Sequence, residues 1–402
     1  MGDRTHPDLE RFLEPERVAI LRAVPGVVAG CLALATIVGM ILLRPTGEDR
    51  PDLAAIGINP LVFDATVEAV ETMPCPGTGE ADGIPCARVS FRLDEGPDNG
   101  RVVTQEVAVS PTSPVFEPGD RVVLDYQEGA EPQFQYRYAD RQRRGVLLGV
   151  AVVFALAVVA LGRLKGVAAL AGLAASVLVM LQFVVPAILD GRSPVLVALV
   201  GAAAIGYVAL YAAHGFTRMA TVALLGTLAA LALTVVLSWI ALALANLSGF
   251  ASDESYILTL VGTIDISGLV LAGVVLGSLG AIDDVTITQA SAVWELKAAR
   301  PDLTPRALFS AGLRVGRDHV ASMVNTLLLA YAGAAMPLLL FFVLAEQSLG
   351  SVLNSEIVAT EALRTLLGSI GLVSAVPFTT WLAAITASGI GGAGYRAHGH
   401  GV

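Results

Sequence analysis

Apolar residues run almost without interruption through eight stretches of the chain: Ala23–Leu43, Val146–Gly162, Val167–Leu189, Pro194–Ala213, Met219–Ala245, Ile266–Trp294, Val320–Ala345 and Leu363–Ala387. About 20 mostly apolar residues suffice to cross roughly 30 Å of hydrocarbon as a helix. The pattern therefore predicts a polytopic α-helical membrane protein of about eight transmembrane helices. The first stretch follows Arg11, Arg17 and Arg22 and has no small-residue cleavage site after it, so 23–43 reads as an uncleaved signal anchor. Between the first two stretches the period changes from helical to two. The runs FDATVEAVE, CARVSFRL, RVVTQEVAV, DRVVLDY and QFQYRY alternate apolar and polar positions and predict five short strands. Glu117-Pro118-Gly119-Asp120 before the fourth run is turn punctuation. So many short strands in one segment predict a small all-β barrel, closed or part-open, of OB or SH3-like type.

Composition narrows the class. The 402 residues are 55% apolar and only 15% charged, and the mean hydropathy is +0.70. Soluble domains carry about 25% charged residues, so a single soluble globule is excluded. The net charge of −10 offers no electrostatic footprint for phosphate, which excludes a nucleic-acid binder. The acidity is local: residues 1–43, 44–144 and 145–402 carry nets of −1, −8 and −1. With the N-terminus in the cytoplasm, the inner short loops and tails hold 13 Lys/Arg, Arg163, Lys165, Arg218 and Lys297 among them, against Arg192 and Arg364 outside. That predicts both termini inside a bacterial plasma membrane. The segments are then a cytoplasmic tail at 1–22, the anchor at 23–43, an extracytoplasmic β domain at 44–144, a seven-helix membrane domain at 145–390 and a second tail at 391–402. Arg141, Arg143 and Arg144 run against the charge bias, but they end a long translocated domain, which the rule does not bind.

Three cysteines fit this frame. Cys75 and Cys86 flank a Pro/Gly-rich loop, MPCPGTGEADGIPCA, with ten residues between them. A disulfide there suits an oxidising compartment; two free thiols are the alternative. Cys31 lies inside the first span.

The polar residues of the spans are where chemistry can reside. In the sixth span Gly273, Gly277, Gly280, Asp284, Thr288, Ser291 and Glu295 recur at spacings of 4, 3, 4, 4, 3 and 4, one stripe of a helix, with Asp283 beside it. Its glycine half suits close helix packing or hinge movement. An aspartate near the bilayer centre costs roughly 2.5–3.5 kcal/mol on insertion scales, which makes Asp283 and Asp284 candidates for a buried ion site; an interfacial position is the alternative. In the stretch GLRVGRDHVASMVNTLLLAY, which leads into the next span, Arg314, Asp318, Ser322 and Asn325 share a helical face, with His319 and Thr326 adjacent. Asp283, Asp284, Thr288, Asp318, Ser322, Asn325 and Thr326 together offer the oxygen set a hard cation prefers. Arg314, Arg317 and His319 are the possible charge partners, and a static ion pair would use the same residues. The segment before the last span carries Asn354, Ser355 and Glu356. Gly368-Ser369-Ile370-Gly371 echoes Gly277-Ser278-Leu279-Gly280, which predicts two packed helices running in the same direction, and Pro377 predicts a kink.

The stretches GSLGAIDDVTITQASAVWELK, GLRVGRDHVASMVNTLLLAYAG and LNSEIVATEALRTLLGSIGLVSAVP, in that order, resemble the signatures of the YibE/F family of bacterial membrane proteins. The resemblance runs over roughly residues 60 to 385. The family's Gly-x-x-Gly-x-x-x-Asp-Val falls on Gly277, Gly280, Asp284 and Val285. Its Gly-Arg-Asp and Met-x-Asn-Thr fall on Gly316, Arg317, Asp318, Met323, Asn325 and Thr326, and its Asn-Ser-Glu on Asn354, Ser355 and Glu356. Asp283 departs from the family's usual apolar residue. The resemblance implies a β-rich outer region and seven helices, and brings no activity with it.

Function thus rests on the intramembrane polar groups. They predict a secondary transporter or exporter coupled to protons or a cation, with Asp284 and Asp318 as ligands and no cofactor beyond a bound monovalent or divalent cation. The alternative is a non-transporting envelope protein that docks a partner through the outer β domain. No nucleophile–base pair or zinc motif is visible, so no enzyme is expected.

Overall fold

The computed structural model describes residues 15–47, 61–74, 85–109, 113–250, 255, 257–258 and 264–388. The chain divides into two compact units, Pro51–Ala160 and Met1–Arg50 with Leu161–Val402. Cys75 and the tail 391–402 lie outside the described residues, and so therefore does the expected Cys75–Cys86 bridge.

The smaller unit holds five strands: β1 (Val62–Pro74), β2 (Pro85–Leu93), β3 (Val102–Ala108), β4 (Arg121–Tyr126) and β5 (Tyr136–Arg141). All pair antiparallel in the order β3-β2-β1-β4-β5. Alternation puts Val122 and Leu124 of β4 inside, beside Val67, Val89, Phe91 and Leu93. At the predicted turn Asp120 N donates to Glu117 O at 3.0 Å, and Gly119 takes φ +95, which an L side chain resists. Gly119 N then donates to Val67 O at 2.8 Å, where β1 bulges. The expectation of a barrel is met only in its coarser form. The sheet is a half-barrel whose edge strands β3 and β5 do not form a ladder. The Gln105 side chain bridges them, donating from Nε2 to Tyr136 O at 2.8 Å and accepting from Tyr138 N at 3.0 Å. One amide side chain thus supplies the two backbone bonds that closure would otherwise need.

The helices are α1 (Pro15–Leu42), α2 (Arg144–Val179), α3 (Val185–Leu189), α4 (Pro194–His214), α5 (Arg218–Ala245), α6 (Ile266–Ala299), α7 (Pro305–Ala334), α8 (Met336–Leu344), α9 (Leu349–Asn354) and α10 (Glu356–Ser388). Among the described residues six helical stretches are long and apolar enough to cross a membrane, or seven if the bent α7–α8 pair is one span. The eight expected spans differ in two places. The second and third fall in one helical stretch of 46 residues, Arg144–Leu189, whose backbone leaves the helix at Arg163 (φ 51, ψ −129). The seventh begins at Pro305 rather than Val320 and bends by 62° beyond Ala334. Thr304 caps its start by accepting from Ala307 N, and Pro305 takes the first turn, where no N–H is needed. Arg306, Arg314 and Arg317 therefore lie within this helix.

Local chemistry sets the other ends. Thr217 accepts from Ala220 N at α5, and Asp265 from Gly268 N at α6. Asp190, buried after α3, accepts from the backbone N–H groups of Thr46 and Gly47 and so ties down the chain leaving α1. The core gathers small and branched residues of α4, α5, α6 and α10: Ala198, Ala202, Ala230, Leu231, Val275, Ile282, Leu372 and Ala375.

Candidate functional site

Close packing in the bundle depends on a few glycines. A Cβ on Gly226 of α5 would meet Thr379 of α10, and one on Gly371 of α10 would meet Thr234 of α5. These contacts make α5 and α10 antiparallel. Ser278 lies against Gly368 and Ile282 against Gly371, so α6 and α10 run in the same direction. Along α7, Gly312 and Gly316 face Val293, Gln289, Thr380 and Val376; a Cβ on Gly316 would lie 2.5 Å from Val376 Cγ1. This Gly-x-x-x-Gly pair lets α7 pack closely on the bundle, and its four-residue spacing was readable in AGLRVGRD. The expected glycines of α6 behave differently. Gly273 makes room for the Arg364 guanidinium and Gly277 for the Tyr331 hydroxyl, both side chains. At Gly280 a Cβ would meet nothing within 4 Å, so packing does not require a glycine there.

Two independent rulers place Asp283 along the helices. Asp283 lies 17 residues into the 34-residue α6, at its midpoint, about 26 Å from the start at 1.5 Å per residue. Its carboxylate accepts from the Thr227 hydroxyl at 3.5 Å. Thr227 stands nine residues, about 13 Å, beyond Arg218 in α5, which carries no further charge as far as Ala245. Asp283 is thus level with the interior of an uncharged span.

Asp283 is half-buried and turned toward α5. Thr227 also hydrogen-bonds the buried Thr286 hydroxyl at 2.7 Å, and Thr286 bonds the Asp283 carbonyl at 2.9 Å. Asp283 forms no ion pair among the described residues. Six residues further along α6, buried Gln289 donates from Nε2 to Gly312 O and to Thr380 Oγ1, each at 2.7 Å. That single amide cross-links α6, α7 and α10. The sequence stripe passes over Thr286, which lies on the opposite face from Asp284 and Thr288, and over Gln289, which lies to one side of it.

Asp284, Thr288, Asp318, Ser322, Asn325 and Thr326 are exposed on the helix surfaces. A cleft of about 430 Å³ between α6 and α7 gathers some of them: Thr288, Asp318 and Ser322 line it with Gln289, Ala292, Val315 and His319. His319 Nε2 is buried there with no hydrogen-bond partner among the described residues. Asp283 and Asp284 do not line that cleft, and neither do Asn325 and Thr326, whose hydroxyl bonds back to Ser322 O. Arg314 reaches only Ser310 of its own helix, at 3.2 Å, and Arg317 is exposed; neither pairs with an aspartate among the described residues. No group of three or more metal-ligating His, Cys, Asp or Glu occurs among the described residues.

The last motif has a structural role. Glu356, at the start of α10, accepts from the Ser248 hydroxyl and from Gly249 N, each at 2.7 Å, and so fastens the chain after α5. Ser355 bonds back to Val352 O, and Asn354 is exposed. Further along α10, Arg364 pairs with Glu361 at 3.2 Å. Pro377, where a kink was expected, lies inside the helix Glu356–Ser388.

A family model described as YibE/F-like protein matches residues 150–389. The chain belongs to the YibE/F-like family. The match covers the helical part from within α2 to the end of α10, and the half-barrel precedes it. No curated protein and no solved structure matches the chain.

Proposed function

We propose that this YibE/F-like chain is a secondary transporter of the bacterial plasma membrane and that Asp283 carries its coupling proton or cation. One observation supports the reading above the rest: Asp283 sits level with the uncharged stretch of α5 that follows Arg218, touches a threonine hydroxyl and has no basic partner among the described residues. A carboxylate at that depth must take up a proton or a cation, because an isolated charge in low dielectric is costly. The Thr227 hydroxyl can donate to the carboxylate or accept from the acid, so both states of Asp283 find a partner. The cleft of Thr288, Gln289, Asp318, His319 and Ser322 offers a polar approach one to two turns away along α6. Of the expected pair, Asp318, which lines that cleft, then serves access rather than coupling, and Asp284, which does not line it, has no part in the reading.

The finer topology belongs to the same reading. The break at Arg163 divides the 46-residue stretch into two spans, which with the bent α7–α8 pair makes eight. Both termini lie in the cytoplasm, and the half-barrel, stapled by Cys75 and Cys86, lies outside.

The test is ion flux in lipid vesicles containing the full chain, followed with a pH-sensitive dye under imposed proton, sodium, potassium or magnesium gradients. Asp283→Asn abolishes the coupled flux, while Asp302→Asn, in the exposed turn between α6 and α7, leaves it intact. Wild-type flux from Asp283→Asn, or no flux from the wild type under any gradient, defeats the proposal and returns the chain to a docking role.

A further inference from the structure

The outward face of α7 is polar where a lipid-facing helix should be apolar. Arg314, Asp318, Ala321, Asn325 and Leu328 are all exposed. With Ala332 they recur at spacings of 4, 3, 4, 3 and 4, the repeat of a two-helix seam. This face lies opposite the Gly312–Gly316 face that packs on α6 and α10. Contacts of Gly316 with Gln289 and of Tyr331 with Gly277 make α7 antiparallel to α6, which brings Asn325 level with about Ile282, within the bundle's middle. Neither Asp318 nor Asn325 has a hydrogen bond or an ion pair among the described residues. Hydrocarbon cannot solvate such a face, so something covers it.

We propose that a second copy of this chain covers it, α7 against α7. Two copies inserted by the same route share one orientation, so a two-fold axis along the membrane normal makes the helices parallel. Asp318, Asn325 and Ala332 then take the a positions and Arg314, Ala321 and Leu328 the d positions. A carboxamide carries both donor and acceptor, so Asn325 meets its own copy with mutual hydrogen bonds. A single buried asparagine at an a position also selects a parallel pair in one register. Arg314 precedes Asp318 by about one turn, so each arginine reaches the other copy's aspartate and symmetry gives two ion pairs. The face is therefore complementary in charge to itself. Ala321, between the two polar layers, permits the close approach that membrane helices need. Asp318 also lines the cleft, so the second copy supplies that cleft with a further wall. Pairing through this face does not depend on transport.

Cysteine cross-linking and charge exchange in lipid vesicles test it, with the full chain carrying Cys31→Ser. Asn325→Cys yields an oxidised, covalently linked dimer, whereas Val373→Cys, on the exposed side of α10, does not. Arg314→Asp and Asp318→Arg each weaken self-association roughly tenfold or more, and the double exchange recovers most of the loss. Three results overturn the proposal. One is a monomer in which the thiol introduced by Asn325→Cys reacts freely with a water-soluble maleimide, which would make the face the wall of an aqueous cavity. Another is cross-linking of Val373→Cys as efficient as that of Asn325→Cys. The third is a double exchange no better than its single parents.

Discussion

The half-barrel and the helical bundle sort their polar residues by opposite rules. In the half-barrel the core is Val67, Val89, Phe91, Leu93, Phe116, Val122 and Leu124, with the Tyr136 ring. Its charges lie on the outside and pair there: Arg88 with Glu106, Arg101 with Asp98, Arg141 with Asp120 and Arg143 with Asp140. Such exposed pairs contribute little, because water serves each partner nearly as well. In the bundle, away from the outward face of α7, leucine, valine and phenylalanine crowd the outer surface, while Thr227, Thr234, Ser278, Thr286, Gln289, Thr379 and Thr380 are buried. Most of these hydroxyls donate back to the carbonyl three or four residues earlier: Thr227 to Ala223, Thr234 to Ala230, Ser278 to Val275 and Thr380 to Val376. Where water surrounds the fold, polarity is a matter of which face a residue occupies. Where lipid does, it is a matter of which neighbour can accept a hydrogen bond. The half-barrel should therefore fail when it loses volume, and the bundle when it gains it.

Phe91→Ala tests the first half of that contrast and carries the largest expected effect. Phe91 is fully buried, and its ring meets Phe116 edge-on at 5.7 Å and 84°. Removing it costs about 3–5 kcal/mol through lost burial and the cavity left behind. Hydrogen exchange of the full chain should show β1, β2 and β4 losing protection together, with α5, α6 and α10 unchanged. Equal loss in both units would mean that they are not separately cooperative.

The same contrast explains what is legible in the sequence. Period-two alternation locates all five strands, because a sheet with one face in water records its burial pattern directly in the sequence. The run QFQYRY begins three residues before its strand does, since nothing in it marks where the turn over residues 127–135 ends. Spans are legible as apolar runs, yet their ends are not: α7 begins fifteen residues before the apolar run at Val320 does. Inside the bundle apolarity carries no directional signal, because helices such as α5 are apolar all round. Which face of α6 turns inward is therefore undetermined by pattern, and spacing alone puts Asp284 inside rather than Asp283. Gln289 escapes for the same reason. The open edges of the half-barrel rest on Gln105, one polar residue among several on an alternating strand.

A pH scan sharpens the contrast on the half-barrel side. The Tyr136 phenol is pushed up to about 12, first by burial and then by its hydrogen bond to Asp98 at 3.1 Å. In the unfolded chain it ionises near 10. Because the folded state holds the proton more tightly, the phenol's contribution is complete below pH 10, falls as the pH rises, and is gone above about 12. Two pH units correspond to roughly 2–3 kcal/mol. Exchange protection of β4 and β5 should drop across that window, and Tyr136→Phe should flatten the drop. An unchanged profile in Tyr136→Phe would assign the alkaline transition to another group.

The smallest effect discriminates most finely within the bundle. Alanine in place of glycine favours a helix interior by up to about 1 kcal/mol when nothing opposes it. At Gly280 nothing does, so Gly280→Ala should leave the bundle as stable or slightly more stable. At Gly316 the new methyl would press on Val376 Cγ1 at 2.5 Å and on Gln289 Oε1 at 2.8 Å. Val376 is buried and branched, and Gln289 is held by its bonds to Gly312 O and Thr380, so neither can yield cheaply. Overpacking of this kind costs about 1–3 kcal/mol, which exceeds the helical gain and makes Gly316→Ala destabilising. Unfolding of the two variants in mixed detergent should thus move in opposite directions. If both are stabilised, α7 does not approach α6 and α10 through Gly316. The cross-link by Gln289 would then fall with it, because that amide reaches Gly312 only when the helices are this close.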